Sequence, residues 1–225
     1  MNGYFSSLIA QVSLVTAPFF LFGMVNGIYN SELANYPVLF WVVDVVGWVI
    51  LPALILLYIY KYYGIGLHDY GLVKITNSYQ RREMTNWTVL ATFMLGIYYF
   101  AFSWLAWKII VVDTPVFAYK DMVPGGDARF FTIFYLAITA AIFEEIFFRG
   151  LIWRLVYTSN INGNKSYVYI VISSLLFSLV HWENGLPEVL ATLVYGVVAC
   201  ILFLRLRNLY PLIVAHFFID VVIFW

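Results

Sequence analysis

The sequence predicts an all-α, polytopic membrane bundle of about seven transmembrane helices. Two observations carry this. Of 225 residues, 64% are hydrophobic and 11% charged, whereas an average soluble domain is roughly 45–50% apolar and about 25% charged. A soluble core of this length cannot hide so much apolar side chain, so lipid is the solvent this surface is built for. The apolar residues also come in continuous runs, several near the roughly 20 residues that a helix needs to cross about 30 Å of hydrocarbon. The regular alternation of a barrel strand is missing.

The runs fall at 5–27, 37–60, 88–111, 129–156, 167–183, 188–204 and 208–225. Residues 5–29 carry no charge, and the first basic residue is Lys61. The charged opening of a cleavable secretory signal is therefore missing, and the first run reads as a span. The segment 61–87 holds Lys61, Lys74, Arg81 and Arg82, punctuated by Gly64, Gly66 and Gly71. It reads as a basic anchor beside the membrane. Residues 112–128 hold Asp113, Asp121 and Asp127 with Pro115, Pro124, Gly125 and Gly126, the composition of a plain loop. Tyr60, Tyr62, Trp87 and Trp107 near span ends read as interfacial anchors. The link from Glu183 to Pro187 is short enough for a re-entrant turn, tolerated where protein or water lines it. No repeat and no second domain is visible, so residues 1–225 form one membrane domain.

Basic residues favour the cytoplasmic side. With the N-terminus inside and seven crossings, the inner side holds Lys61, Lys74, Arg81, Arg82, Arg149, Arg154, Lys165, Arg205 and Arg207. The outer side holds Lys108, Lys120 and Arg129. Nine against three predicts a multi-pass protein of the cell membrane with a cytoplasmic N-terminus. Twelve basic and twelve acidic residues cancel, which leaves no electrostatic footprint for nucleic acid. One cysteine, Cys200, excludes a disulfide framework and a multi-cysteine metal site.

Ionisable residues inside a bilayer are costly and point to function. Those in the runs are Asp44, Glu144, Glu145, Arg149, His181, His216 and Asp220. On a helix Glu145 and Arg149 share a face four residues apart, with the acid on the favourable N-terminal side. Glu144 points about 100° away. One carboxylate is then held by the arginine while the other stays available as a general base. His216 and Asp220 are also four apart and face the same way. Asp44 stands outside these patterns and reads as a structural partner for another helix.

Glu144-Glu145-x-x-x-Arg149, Phe177-x-x-x-His181 and His216-x-x-x-Asp220 follow one another on three apolar runs. This order resembles the CPBP family (CAAX proteases and bacteriocin-processing enzymes, also called Abi), over residues 129–225. The resemblance implies a catalytic core in that stretch, with residues 1–128 as preceding spans and loops. It implies an intramembrane endopeptidase acting on a membrane-associated peptide or protein tail, with membrane lipid as its surroundings. Glu144 would activate water with help from His181. His216 and Asp220 would lie at the oxyanion site, and Glu145 and Arg149 would orient the cluster. Asp220 donates a hydrogen bond only when protonated; otherwise it would fix or charge His216. Glu144, His181 and His216 are also zinc-type ligands, so a divalent metal is the mechanistic alternative, although no H-E-x-x-H is present. The resemblance favours a metal-free reaction with no cofactor. A non-catalytic immunity or scaffold role is the functional alternative, and a proton relay or transporter the more distant one.

Overall fold

The computed structural model describes residues 2–33, 35–111, 129–159, 161 and 163–225. The expected loop 112–128, with Lys120 of the charge count, lies outside the described residues. The described residues form eight helices and no strand: α1 Asn2–Gly23, α2 Asn26–Leu33, α3 Pro37–Tyr63, α4 Ser78–Ile109, α5 Arg129–Thr158, α6 Lys165–Leu179, α7 Leu186–Leu206 and α8 Tyr210–Phe224.

All seven apolar runs are helical. Four helices, α3, α4, α5 and α7, are long and apolar enough to cross a membrane, and α1 with α2 makes a fifth candidate bent by 45° at its break. The first run therefore does not stop at residue 27 but turns and continues to Leu33. Helices α6 and α8 have 15 residues each, about 22 Å of rise. That is short of the hydrocarbon thickness, so helix length does not by itself carry a count of seven crossings.

The start of α4 lies ten residues before the expected 88. Asn77 is its N-cap, accepting from the Gln80 backbone N–H at 2.8 Å, and the Gln80 side chain accepts from Thr76 N at 3.0 Å. This reciprocal pairing satisfies the helix's first donors. It extends the helix through Arg81 and Arg82, which sequence reading left in the basic segment.

Helix α7 packs between α6 and α4, and α8 packs between α4 and α5. Helices α1 and α2 lean on α3 and on the turn after α6. Gly196 of α7 lets α6 come close, since a Cβ there would stand 3.0 Å from Ser174 Cα. Two π-helical turns interrupt the α-helices, Val45–Ile50 in α3 and Glu145–Leu151 in α5. Such turns often mark functional positions in helices. The second spans Glu145 and Arg149.

The short segment between α3 and α4 folds back on the bundle. Its 3-10 turn Leu67–Tyr70 packs on the π turn of α5. Leu209 N donates to Gly71 O at 2.9 Å, and Asn208 Nδ2 donates to Val73 O at 3.3 Å. The expected basic anchor is thus partly docked onto protein. Arg154 of α5 also approaches Asp69 at 3.9 Å there, a half-exposed pair of little energetic weight.

Asp44 is fully buried immediately before the π turn of α3. Tyr29 on α2 and Tyr135 on α5 lie near its carboxylate, neither oxygen of which has a hydrogen-bond partner among the described residues. Trp48 Nε1 donates to Tyr29 Oη at 2.7 Å. This arrangement supports the expected structural role, with Asp44 at the meeting point of three helices.

Candidate active site

A polar cavity opens inside the bundle, between the α1–α2 break, α5, the end of α6, α7 and α8. Its wall includes Glu144, His181, His216 and Asp220 together with Glu183 and Glu188. Its room of about 80 Å³ holds several water molecules, each of which needs about 10–15 Å³ by that measure.

The 100° divergence between adjacent helix positions separates the two glutamates as expected. Glu145 turns into the protein and is fully buried. Its Oε1 lies 3.3 Å from Arg149 Nη1 and 2.9 Å from His216 Nδ1. Glu144 lines the cavity, 7% exposed, with Oε2 3.7 Å from His216 Nε2. Among the described residues nothing hydrogen-bonds to the Glu144 carboxylate. One imidazole thus separates a tethered carboxylate from an available one.

Arg149 is fully buried. Its guanidinium sits 4.0 Å from the Phe177 ring centre and 5.4 Å from that of Tyr195. It is held by the charge of Glu145 and by aromatic faces rather than by hydrogen bonds donated to described residues. Phe177 and Tyr195 are stacked with centroids 5.4 Å apart. The first position of the Phe-x-x-x-His pattern is therefore the floor that carries the arginine.

His181 follows α6. A span centred on 167–183 would put it about 9 Å from the membrane midplane, away from Glu144. The short α6 removes this difficulty: it ends at Leu179, and its end turn delivers His181 to the cavity. His181 Nδ1 lies 2.7 Å from Phe177 O. A carbonyl only accepts, so Nδ1 donates. In the neutral ring Nε2 then carries the lone pair.

His216 and Asp220 sit one turn apart on α8, with Nε2 to Oδ1 at 3.5 Å. His216 Nδ1 donates to the Glu145 carboxylate, so its Nε2 faces both Asp220 and Glu144. A doubly protonated ring satisfies both sides, and a neutral ring only one. Asp220 thus lies against the histidine ring.

Among the described residues, no three His, Cys, Asp or Glu side chains are arranged to hold a metal ion. His216 Nδ1 donates to Glu145 and Nε2 faces two carboxylates, an orientation that suits a doubly protonated ring and equally a neutral ring whose outer nitrogen is bare.

Sequence reading missed Glu183, Glu188, Tyr99 and Tyr195. Both acids lie at run boundaries, and Glu183 is 6% and Glu188 4% exposed. Glu188 accepts from Tyr99 Oη at 2.5 Å and belongs to the cavity wall. The available signal was their spacing around Gly185 and Pro187: a link too short to leave the membrane keeps its acids inside.

Comparison with curated proteins finds no match, and comparison with solved structures finds none either. Residues 126–222 match the family described as Type II CAAX prenyl endopeptidase Rce1-like, a stretch that contains all three motifs. Those motifs gather around one cavity, and this part of the chain is similar to that family of CAAX-type proteases.

Proposed function

We propose that the protein is an intramembrane endopeptidase that hydrolyses a peptide bond in a membrane-associated protein or peptide. The observation that carries this is the division of labour around His216: Glu145 is tethered, and Glu144 faces a polar cavity with an untethered carboxylate. A water in that cavity gives a proton to Glu144 while His181 Nε2 accepts its second hydrogen bond. The water oxygen attacks the scissile carbonyl, and charge develops on the carbonyl oxygen. His216 Nε2–H is the donor available to meet that charge. Breaking the C–N bond then passes the proton from Glu144 to the leaving amine. Glu145, Arg149 and Asp220 hold the two histidines in place. The reaction is proposed without a metal or cofactor, with His216 acting as a donor through Nε2–H.

The protein is proposed to lie in the cell membrane with a cytoplasmic N-terminus, on the basic-residue asymmetry, with lipid around its exposed apolar helix faces. The test is cleavage of membrane-anchored peptides by purified protein in nanodiscs, in ¹⁸O-water. The expected result is ¹⁸O in the new C-terminal carboxylate and a loss of about 10²–10⁴-fold in Glu144→Ala and in His181→Ala. Full proteolysis by both variants overturns the reading. A cellular phenotype that survives loss of Glu144 favours a binding role, as an immunity or scaffold protein.

A further inference from the structure

The residues that follow His181 fasten it to the N-terminal helices. The 3-10 turn Trp182–Asn184 begins immediately after the histidine and meets the break between α1 and α2. That break leaves helix-end groups without partners inside the protein, where each must be satisfied. Two side chains of the turn supply them. Trp182 Nε1 donates to Met24 O at 2.7 Å. The Glu183 carboxylate accepts from Gly27 N at 2.5 Å through one oxygen and from Ile28 N at 3.3 Å through the other. These are the first amides of α2, where a carboxylate also meets the positive end of the helix dipole.

The partners lie 155 to 158 residues apart in sequence. Helices α1 and α2 fall outside the matched segment 126–222. Yet Gly23, Asn26, Gly27 and Asn30 line the same cavity as Glu144 and His181. The α1–α2 break is therefore one wall of the site, and the turn after His181 is its clasp.

We propose that Glu183 is a positioning residue for the reaction: by capping α2 it fixes the turn that carries His181 and closes the N-terminal helices over the cavity. This rests on the peptidase reading. At its other side His181 is held by its Nδ1–H bond to Phe177 O and its backbone N–H bond to Ser178 O, which set the ring's tautomer and the end of α6 but not the path of the chain beyond. The cap needs a carboxylate, because two amides point at two different oxygens. Glutamine offers one acceptor oxygen and turns an N–H₂ toward the second amide.

The test compares the full-length parent with Glu183→Gln, Glu183→Ala and Trp182→Phe in nanodiscs. The readouts are kcat, KM and hydrogen exchange of the amides of residues 24–33. Displacing a reacting group by about 1 Å can cost about 100-fold, so Glu183→Ala should lose kcat on that scale with KM little changed. Glu183→Gln should lie between it and the parent, and amide exchange at Gly27 and Ile28 should quicken in that order. Trp182→Phe should quicken exchange near the break and lower kcat less. An alanine variant with parental kcat overturns the proposal. So does a loss that tracks only the folded fraction, or unchanged exchange at Gly27 and Ile28. A parent that does not cleave, or a Glu144→Ala variant that cleaves like the parent, brings down the peptidase reading and the positioning role with it; the exchange result still reports the clasp.

Discussion

His216 Nδ1 donates to Glu145 Oε1 at 2.9 Å, joining α8 to the π turn of α5. This bond explains why two adjacent glutamates in an apolar helix are not redundant. Glu145 is bonded to histidine and paired with arginine, and has no exposure. Glu144, on the other side of the same ring, is left to the cavity.

The two glutamates should therefore fail differently. Glu144→Gln removes the base but breaks no hydrogen bond to a described residue. It should lower turnover by about 10²–10⁴-fold and leave thermal stability near the parent's. Glu145→Gln strips the charge partner from a fully buried Arg149. Breaking a buried pair on one side costs about 3–5 kcal/mol, so this variant should lose activity and also several degrees in melting temperature. Cleavage kinetics with differential scanning fluorimetry in detergent separates the two. Equal melting losses would refute the division of roles.

Arg149→Lys tests what the aromatic floor does. The guanidinium is planar and lies 4.0 Å from the Phe177 ring centre. A lysine ammonium is a more strongly hydrated point charge without that flat face, so the exchange is not conservative at a stacked, buried site. It should destabilise by at least about 2 kcal/mol, the scale of a desolvated cation–π contact, and misplace Glu145. The expected outcome is a melting loss with reduced kcat. A lysine variant that is both as active and as stable as the parent would show that charge alone suffices.

The bundle was legible in the sequence because lipid imposes a single rule on helix-forming runs, and every apolar run did become helix. The catalytic cluster was legible for the same reason: an ionised side chain at Glu144 or His216 stands out against a background of leucine and phenylalanine. Other features lay beyond local pattern. The start of α4 depended on the Asn77 cap. The break after Gly23 is satisfied by a turn more than 150 residues away, and no local periodicity reports such a partner. The depth of His181 depended on where α6 ends, which hydropathy fixes only to within a turn. Glu183 and Glu188 were hidden by their position at run edges, where a charge ordinarily means water.

Asp44 offers a check on the other buried acid. It lies fully inside the protein, near two tyrosines from two other helices, and it does not line the cavity of Glu144. Asp44→Asn keeps the size and polarity of the side chain and should leave cleavage within a few-fold of the parent. Asp44→Leu replaces the buried carboxylate and changes the packing of a fully buried position, a kind of change that ordinarily costs about 0.5–3 kcal/mol. A melting loss for leucine with near-parental kcat for asparagine would confirm a structural role. Loss of turnover in a stable asparagine variant would place Asp44 in the chemistry.

Gly150, one residue beyond the Arg149 of the motif, sets the contact between the π turn and the segment joining α3 to α4. An added Cβ would stand 2.5 Å from Tyr70 O and 2.7 Å from Tyr70 Cβ. The first of these is backbone, so no side-chain rotation relieves it. Replacing glycine by alanine within a helix ordinarily gains about 0.5–1 kcal/mol. Overpacking a close contact costs about 1–3 kcal/mol, and here the second effect should win. Gly150→Ala is expected to lower the melting temperature and to free the Leu67–Tyr70 turn, seen as faster amide exchange at Asp69 and Gly71, whose N–H groups close that turn. Truncating Tyr70 to alanine in the same chain should not restore the contact, because its carbonyl remains. A stabilised Gly150→Ala variant would mean that the segment can shift away at no cost, and that its packing does not hold the π turn in place.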